Sequence, residues 1–305
     1  MGFKTQDGFQ FTGSGVGLKY VSGKRISFYI SEQGNPGADP SSGAYNGTSG
    51  IVTTNIVLDL NATISSSYGG SGTTWTDISG NSNDGTLVNG VAYSSDNGGY
   101  LVFDGTDDYV QTGSDMFNAN ADFTFSIWFN LDTYAADTSY AFIADVANSG
   151  SLFIRYRNNV IQIILSNQAI LGSFSNSSLS TNTWYNLTIT RTISGAIRTY
   201  TLYINGSSTS SLTDNNSFSY SADTIGATHR TGSPSYKNNF DGKIAQVFAY
   251  SSALSASEVL QNYLATGGNY FNNIVTSNLV LHLDASNTMS YSGSGTTWND
   301  ISGQG

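Results

Sequence analysis

The sequence predicts an all-β protein, a sandwich of two antiparallel sheets with one short helix closing its main domain. Three observations carry that expectation. Apolar and polar residues alternate over short runs, Gly, Asn, Ser and Asp punctuate the runs, and charged residues make up only 10% of the chain. Globular chains carry about 25% charged residues, and solvated helices need them on their outer faces. The 19 Tyr and 16 Phe supply the apolar area for a core.

In chain order, 86–91, 100–103, 109–112, 123–129, 141–146, 151–156, 160–165, 184–192, 198–204 and 243–250 read as strands. Phe123, Phe125, Ile127 and Phe129 share one face of their strand, with Thr124, Ser126 and Trp128 on the other. Leu187 and Ile189 likewise oppose Thr188 and Thr190. Such a division asks for sheets with one covered face, and two of them packed together bury both apolar sides. Asn205-Gly206 suits a two-residue hairpin turn, because both positions accept positive φ. Ser255 and Glu258 form a capping-box pattern ahead of Val259, Leu260 and Tyr263, so a helix is expected there, ending before Gly267.

An internal repeat sets the domain boundaries. Residues 51–80 match residues 274–303 at 20 of 30 positions without a gap. The offset suits one whole domain followed by the opening of another. Three segments follow: a β attachment segment and Gly/Ser-rich linker over 1–50, the sandwich over 51–266, and a linker with an incomplete second opening over 267–305. That last segment reads as a truncated tandem array or as an added or swapped strand.

Composition also excludes partners. The net charge is −10 with only 11 Lys and Arg, and no basic run is present to neutralise phosphates, so nucleic acid is not an expected partner. Cysteine is absent, which removes disulfides and thiolate chemistry. Neither a signal peptide nor an 18-residue apolar run is visible, so no membrane insertion is expected. Six Asn-x-Ser/Thr sequons, at Asn46, Asn61, Asn176, Asn186, Asn205 and Asn215, permit glycosylation in a secretory setting.

The order of the pieces resembles a known family. Trp75-Thr-Asp-Ile-Ser-Gly80, Gly85-Thr-Leu, Phe103-Asp-Gly-Thr-Asp-Asp-Tyr-Val110, Phe123 to Phe129, Trp184-Tyr-Asn-Leu, Tyr203-Ile-Asn-Gly206 and Phe240-Asp-Gly-Lys-Ile244 leading into Ala253 to Glu258 together resemble the laminin-G-like domains of the concanavalin A-like lectin/glucanase superfamily. The resemblance implies a jelly roll whose members mostly bind carbohydrate or protein. Similar forms occur in phage and viral structural proteins, which implies a virion location, with an extracellular or bacterial surface as the alternative. Partners would then be glycan or protein on a host or virion surface, neighbouring virion subunits, and further copies in a homo-oligomer. Some members bind calcium at the rim. Asp77, Asp104 and Asp241 resemble the family's acidic positions, and Asn81 or Asn83 could add an oxygen to a structural Ca2+. Turn and cap hydrogen bonds at Asp104-Gly105 and Asp241-Gly242 are the competing reading.

Catalysis is not expected. The β-glucanases of this fold use a strand bearing paired Glu residues, whereas this chain has only Glu32, in the N-terminal segment, and Glu258, at a helix start. Asp107 and Asp108 are adjacent and so point to opposite sides of a strand. A binding module would instead use aromatic rings and polar loops. Tyr134, Tyr140, Tyr156 and Tyr236 lie near inferred loops or rims and are the candidate ligand contacts, while 212–222 and 228–240 are the candidate recognition loops. Trp75 and its repeat Trp298 read as structural plugs.

Overall fold

The computed structural model describes residues 50–113, 115–117, 121–134, 139–144, 152–164, 170–175, 177–215, 222–228 and 238–267, residues 297 and 299, and four short strands before residue 31. The chain divides into two units, Gly50–Tyr270 and a second made of Met1–Ser49 with Phe271–Gly305. In the second unit β1 (Phe3–Lys4) pairs β2 (Gln10–Phe11), and β3 (Val16–Gly17) pairs β4 (Tyr29–Ile30). Of the expected β attachment segment, only these four short strands are described.

The main unit is a sandwich of two antiparallel sheets. The first sheet runs in the order β15 (Ile170–Ser173), β14 (Val160–Ile164), β13 (Phe153–Arg157), β12 (Ser139–Ala144), β19 (Thr224–Ile225), β10 (Tyr109–Thr112), β7 (Gly85–Val88) and β6 (Thr74–Trp75). The second runs β18 (Ser207–Asp214), β17 (Ile197–Ile204), β16 (Trp184–Ser194), β11 (Phe123–Leu131), β20 (Asp241–Tyr250), β9 (Tyr100–Asp104) and β8 (Ala92–Ser94), with β5 (Ile56–Asn61) also pairing β20. Each expected strand has a counterpart, with 109–112 matched at both ends, while residues 145, 146, 151 and 165 of the expected strands lie outside the described residues. β18 overturns one expectation: residues 212–214, read as the start of a loop, complete a strand. Its sequence, SSTSSLTD, carries too few apolar residues to alternate, because β18 is an edge strand and half exposed.

The inner faces meet as the alternation requires. Phe125, Ile127, Phe129, Leu187, Ile189 and Val247 of the second sheet share one core with Val110, Phe142, Ile154, Tyr156, Ile161 and Ile163 of the first. Phe129 and Phe142 bridge the sheets with ring centroids 4.7 Å apart.

Strand β11 is buried on both faces, against the expectation of one covered side. The cause is helix α1 (Ala256–Thr266) and the chain leading into it. Trp128 stacks on Tyr263 at 5.6 Å and donates its indole N–H to Oγ1 of Thr266 at 2.7 Å. Beside it a polar ladder saturates itself: the Ser126 and Thr188 hydroxyls bond at 2.8 Å, and Asn186 donates to Ser126. Thr124 donates its hydroxyl to the carbonyl of Ser252 and accepts the N–H of Leu254. Buried polar groups of this kind are tolerated because each finds a partner. Ser255 and Glu258 form the expected capping box.

The opening segment closes the second sheet. Leu58, Leu60, Ala62, Tyr68 and Trp75 are buried in the core, and Ser67 accepts the N–H of Asn61 while donating to the carbonyl of Thr76. The repeat keeps the five core residues and Ser67, as Leu281, Leu283, Ala285, Tyr291, Trp298 and Ser290, while Asp284 and Asn299 stand in place of Asn61 and Thr76. It also keeps the left-handed positions Asn55, Gly70, Gly72 and Gly80, as Asn278, Gly293, Gly295 and Gly303. The repeated code is therefore one of folding: it specifies core contacts and turn geometry. Asn61 and Asn186 are buried, so these two sequons offer no accessible acceptor in the folded unit.

Candidate functional site

Strands β13 and β14 are joined by Asn158-Asn159, with φ of 53° and 61°. Left-handed conformation at both central residues matches the twist of the flanking strands and fixes the register of a tight hairpin. Arg157 thereby faces Val160, and Arg155 faces Gln162. Ile154, Tyr156, Ile161 and Ile163 take the core side, so Phe153, Arg155, Arg157, Gln162 and Ile164 take the outer face of the first sheet. On the flanking strands Ser139 stands opposite Arg157, Ala141 opposite Arg155, and Ser173 opposite Gln162.

A hydrogen-bonded row results. Arg155 donates its Nε–H to Oε1 of Gln162 at 2.9 Å, and Gln162 donates from Nε2 to Oγ of Ser173 at 3.0 Å. The Arg155 guanidinium lies 5.6 Å from the ring centre of Phe153. Phe153 in turn belongs to a small apolar cluster with Ala141, Ala144 and Ile164, separate from the main core. Arg155 and Arg157 are half-buried and Ser173 is exposed. Burial pushes the Arg155 guanidinium below its ordinary value, and the positive charge of Arg157 pushes it further. Nε of Arg157 and Oγ of Ser139 are buried and have no hydrogen-bond partner.

These residues were not legible as a site in the sequence. The available signal was the Asn-Asn turn inside Arg155-Tyr-Arg-Asn-Asn-Val-Ile-Gln162, which determines which side chains share a face.

The tyrosine candidates divide. Tyr140 and Tyr156 are buried, 4% and 0% exposed, and pack in the core, so they are not rim contacts. Their alternation with outer-face residues places them inward. Tyr134 is half-buried against both rings, 6.2 Å from Tyr140 and 5.0 Å from Tyr156, and its hydroxyl accepts the N–H of Asn159. Tyr236 and Trp298 lie outside the described residues. Trp75 is fully buried, as a plug should be.

The four expected metal ligands fall into two pairs, Asp77 with Asn83 and Asp104 with Asp241. Oδ1 of Asp77 accepts the N–H groups of Asp59 and Ser79, and Oδ2 accepts the hydroxyl of Ser79 and the N–H of Asn83. Four donors occupy this carboxylate, and Asn83 donates its side-chain amide to the carbonyl of Val57, so both residues lock the opening loop. Asp104 and Asp241 are cross-strand partners on β9 and β20, and Asp241 accepts the hydroxyl of Thr133.

A different acidic group forms around Asp104. One carboxylate oxygen from each of Asp104, Asp107 and Asp108 lies within 4.8 Å of the others. Asp108 accepts the N–H of Asp104 through Oδ2, while its Oδ1 is buried without a partner. Burial raises the Asp108 carboxyl above its ordinary value, partly offset by that hydrogen bond, with the charges of Asp104 and Asp107 adding to the rise. These three carboxylates could supply part of the six to eight oxygens that a calcium ion needs.

A two-sheet antiparallel jelly roll, with one sheet backed by a helix, defines a lectin-like sandwich. The chain belongs to the concanavalin A-like lectin/glucanases superfamily, whose laminin-G family model matches residues 104–260. Among solved structures, the receptor binding domain of botulinum neurotoxin C/D mosaic serotype is similar, with 19% identity over 70% of this chain and 52% of that one at a TM-score of 0.52. The ligand binding domain of botulinum neurotoxin serotype D in complex with N-acetylneuraminic acid gives 19% identity, 70% and 52% coverage and a TM-score of 0.53. The chain spans about half the length of these structures, and at this identity the likeness is one of fold. No curated protein sequence matches the chain.

Proposed function

We propose that the sandwich is a non-catalytic attachment module, recognising glycan or protein at the surface of a virion or cell. The observation that carries this is the row Arg155–Gln162–Ser173 beside the Phe153 cluster. Sugars present a rim of hydroxyls, and a row of oriented donors and acceptors that ends at the exposed Ser173 hydroxyl matches them. The family context and the receptor- and ligand-binding names of the similar structures support the same reading. With only two Glu the chain lacks the paired-Glu strand that the β-glucanases of this fold use.

A glycan array probed with the 305-residue chain tests this. Binding that weakens in Gln162→Ala, with the melting midpoint unchanged, is the expected result. No glycan bound, together with stable incorporation of the chain into particles, would replace recognition by structural decoration of a virion. Turnover of a glycan that is lost on a single Asp substitution would restore an enzyme. Calcium at Asp104, Asp107 and Asp108 would be structural in this reading, and an unchanged melting midpoint after chelation would count against it.

A further inference from the structure

We propose that Arg155, Arg157 and Ser139 form an anion subsite that receives the carboxylate of an acidic sugar. The assignment rests on the outer-face site above and names the chemistry of its ligand.

Charge is the first reason. The chain carries 21 acidic residues against 11 Lys and Arg, yet two of its arginines stand two positions apart on one face of β13. No acidic residue occurs among their cross-strand partners Ser139, Ala141, Val160 and Gln162. The one ion pair among the described residues, Lys243 with Asp132, lies on other elements. Two half-buried guanidinium groups side by side repel each other, and a folded chain keeps such an arrangement at a cost that a bound anion removes.

Unsatisfied hydrogen bonding is the second. Nε of Arg157 and Oγ of Ser139 are both buried and unpartnered, and the two residues are opposite each other in register. A buried donor without an acceptor is costly, so a pair of them on adjacent strands is preorganised for a ligand that accepts. Guanidinium is planar and matches a carboxylate through two parallel N–H···O bonds.

The surroundings select a sugar rather than a bare carboxylate. Phe153 and Ile164 are buried and only back the site, while Gln162 and the exposed hydroxyl of Ser173 continue the polar row away from the arginines. A uronic or sialic acid presents both parts at once: one carboxylate and, a ring's width away, hydroxyls.

The experiment compares matched probes on the 305-residue chain: 3′-sialyllactose and a hyaluronan hexasaccharide, each beside its carboxyl-reduced form, with a sulfated glycan and an acidic peptide alongside. The expected result is at least one acidic glycan bound about tenfold tighter than its reduced form, a gap that closes as salt rises. Arg157→Gln should remove that preference, and Arg157→Lys should restore only part of it because the ammonium lacks the planar fork. Melting curves of both variants separate lost binding from lost folding, and Arg155→Lys provides a second route if Arg157→Gln fails to fold. Equal binding of acidic and reduced forms would overturn the subsite while leaving glycan recognition standing. Preference for the sulfated glycan or the acidic peptide would overturn it too, and no glycan binding at all would overturn the subsite together with the glycan half of the proposed function.

Discussion

Asp77 accepts the backbone N–H of Asp59 at 2.9 Å, so two carboxylates are held together at the edge of the core. Asp59 is buried, 7% exposed, and its Oδ1 has no hydrogen-bond partner. Burial and then the charge of Asp77 push its carboxyl up to about 7. The folded form therefore binds a proton that the unfolded chain, with an ordinary value of 3.8, has released over the window from about pH 4 to 7. Stability falls as pH rises through that window and levels off above it. Asp59→Asn should raise unfolding free energy at pH 8 by an amount on the order of 3 kcal/mol and leave it nearly unchanged at pH 4. Urea unfolding at the two pH values measures this, and an equal effect at both would refute the titration.

Asp77 itself should be indispensable as an acceptor. Asp77→Ala leaves the N–H groups of Asp59, Ser79 and Asn83 to find other partners around a nearly closed site. A loss of about 3 kcal/mol or more is expected, and Asp77→Asn should lose less because one oxygen remains. Addition of calcium should rescue neither variant.

Helix α1 is tied to the second sheet through Trp128. Thr266→Val removes the indole hydrogen bond together with the bond that the Thr266 hydroxyl donates to the carbonyl of Asn262 and should cost about 1–2 kcal/mol, whereas Trp128→Ala removes the indole bond and the stack on Tyr263 and should cost about 3–5 kcal/mol. Thermal melts of the pair check the ratio; equal losses would mean that the ring contact contributes nothing.

The β17–β18 turn and the helix are coupled at Gly206. Its φ is 76°, and an added Cβ would sit 2.8 Å from Cδ1 of Tyr263. Gly206→Ala should therefore cost about 2 kcal/mol or more, combining left-handed strain with displacement of the Tyr263 ring. Gly206→Ala in a Tyr263→Ala background should cost less than in the parent, and additive losses would show that the two elements are independent.

Much of the scaffold was legible because burial imposes a period. Phe123 to Phe129 and Leu187 with Ile189 announce strands whose apolar sides face one core. Edge strands escape that logic: Ser207–Asp214 and Ile170–Ser173 each have one unpaired side and weak alternation, and their pairing depends on neighbours rather than on their own residues. The second face of β11 was also invisible, since Ser126 and Thr188 look solvent-facing until a helix is known to lie over them.

The candidate site was harder still. A tyrosine near an inferred loop can point either way, and a frame error of one residue reverses the answer, as Tyr140 and Tyr156 show. Arg155 and Arg157 became meaningful only once the Asn158-Asn159 turn fixed which residues stood opposite them. Asp77 drew attention as a cation ligand because its residue type is shared between calcium loops and turn locks; only the identity of its four donors separates the two.

Strand β5 begins where β20 ends, and just outside them Gln261 donates to the carbonyl of Gly50 at 2.8 Å while Asn262 accepts the N–H of Val52. Entrance and exit of the unit thus meet at one corner. Tension applied to the chain on either side would peel this ladder open one rung at a time instead of shearing all its rungs together. Under load the module should yield at its clasp long before its core, letting out slack like a stitch, and closing again when the pull is released.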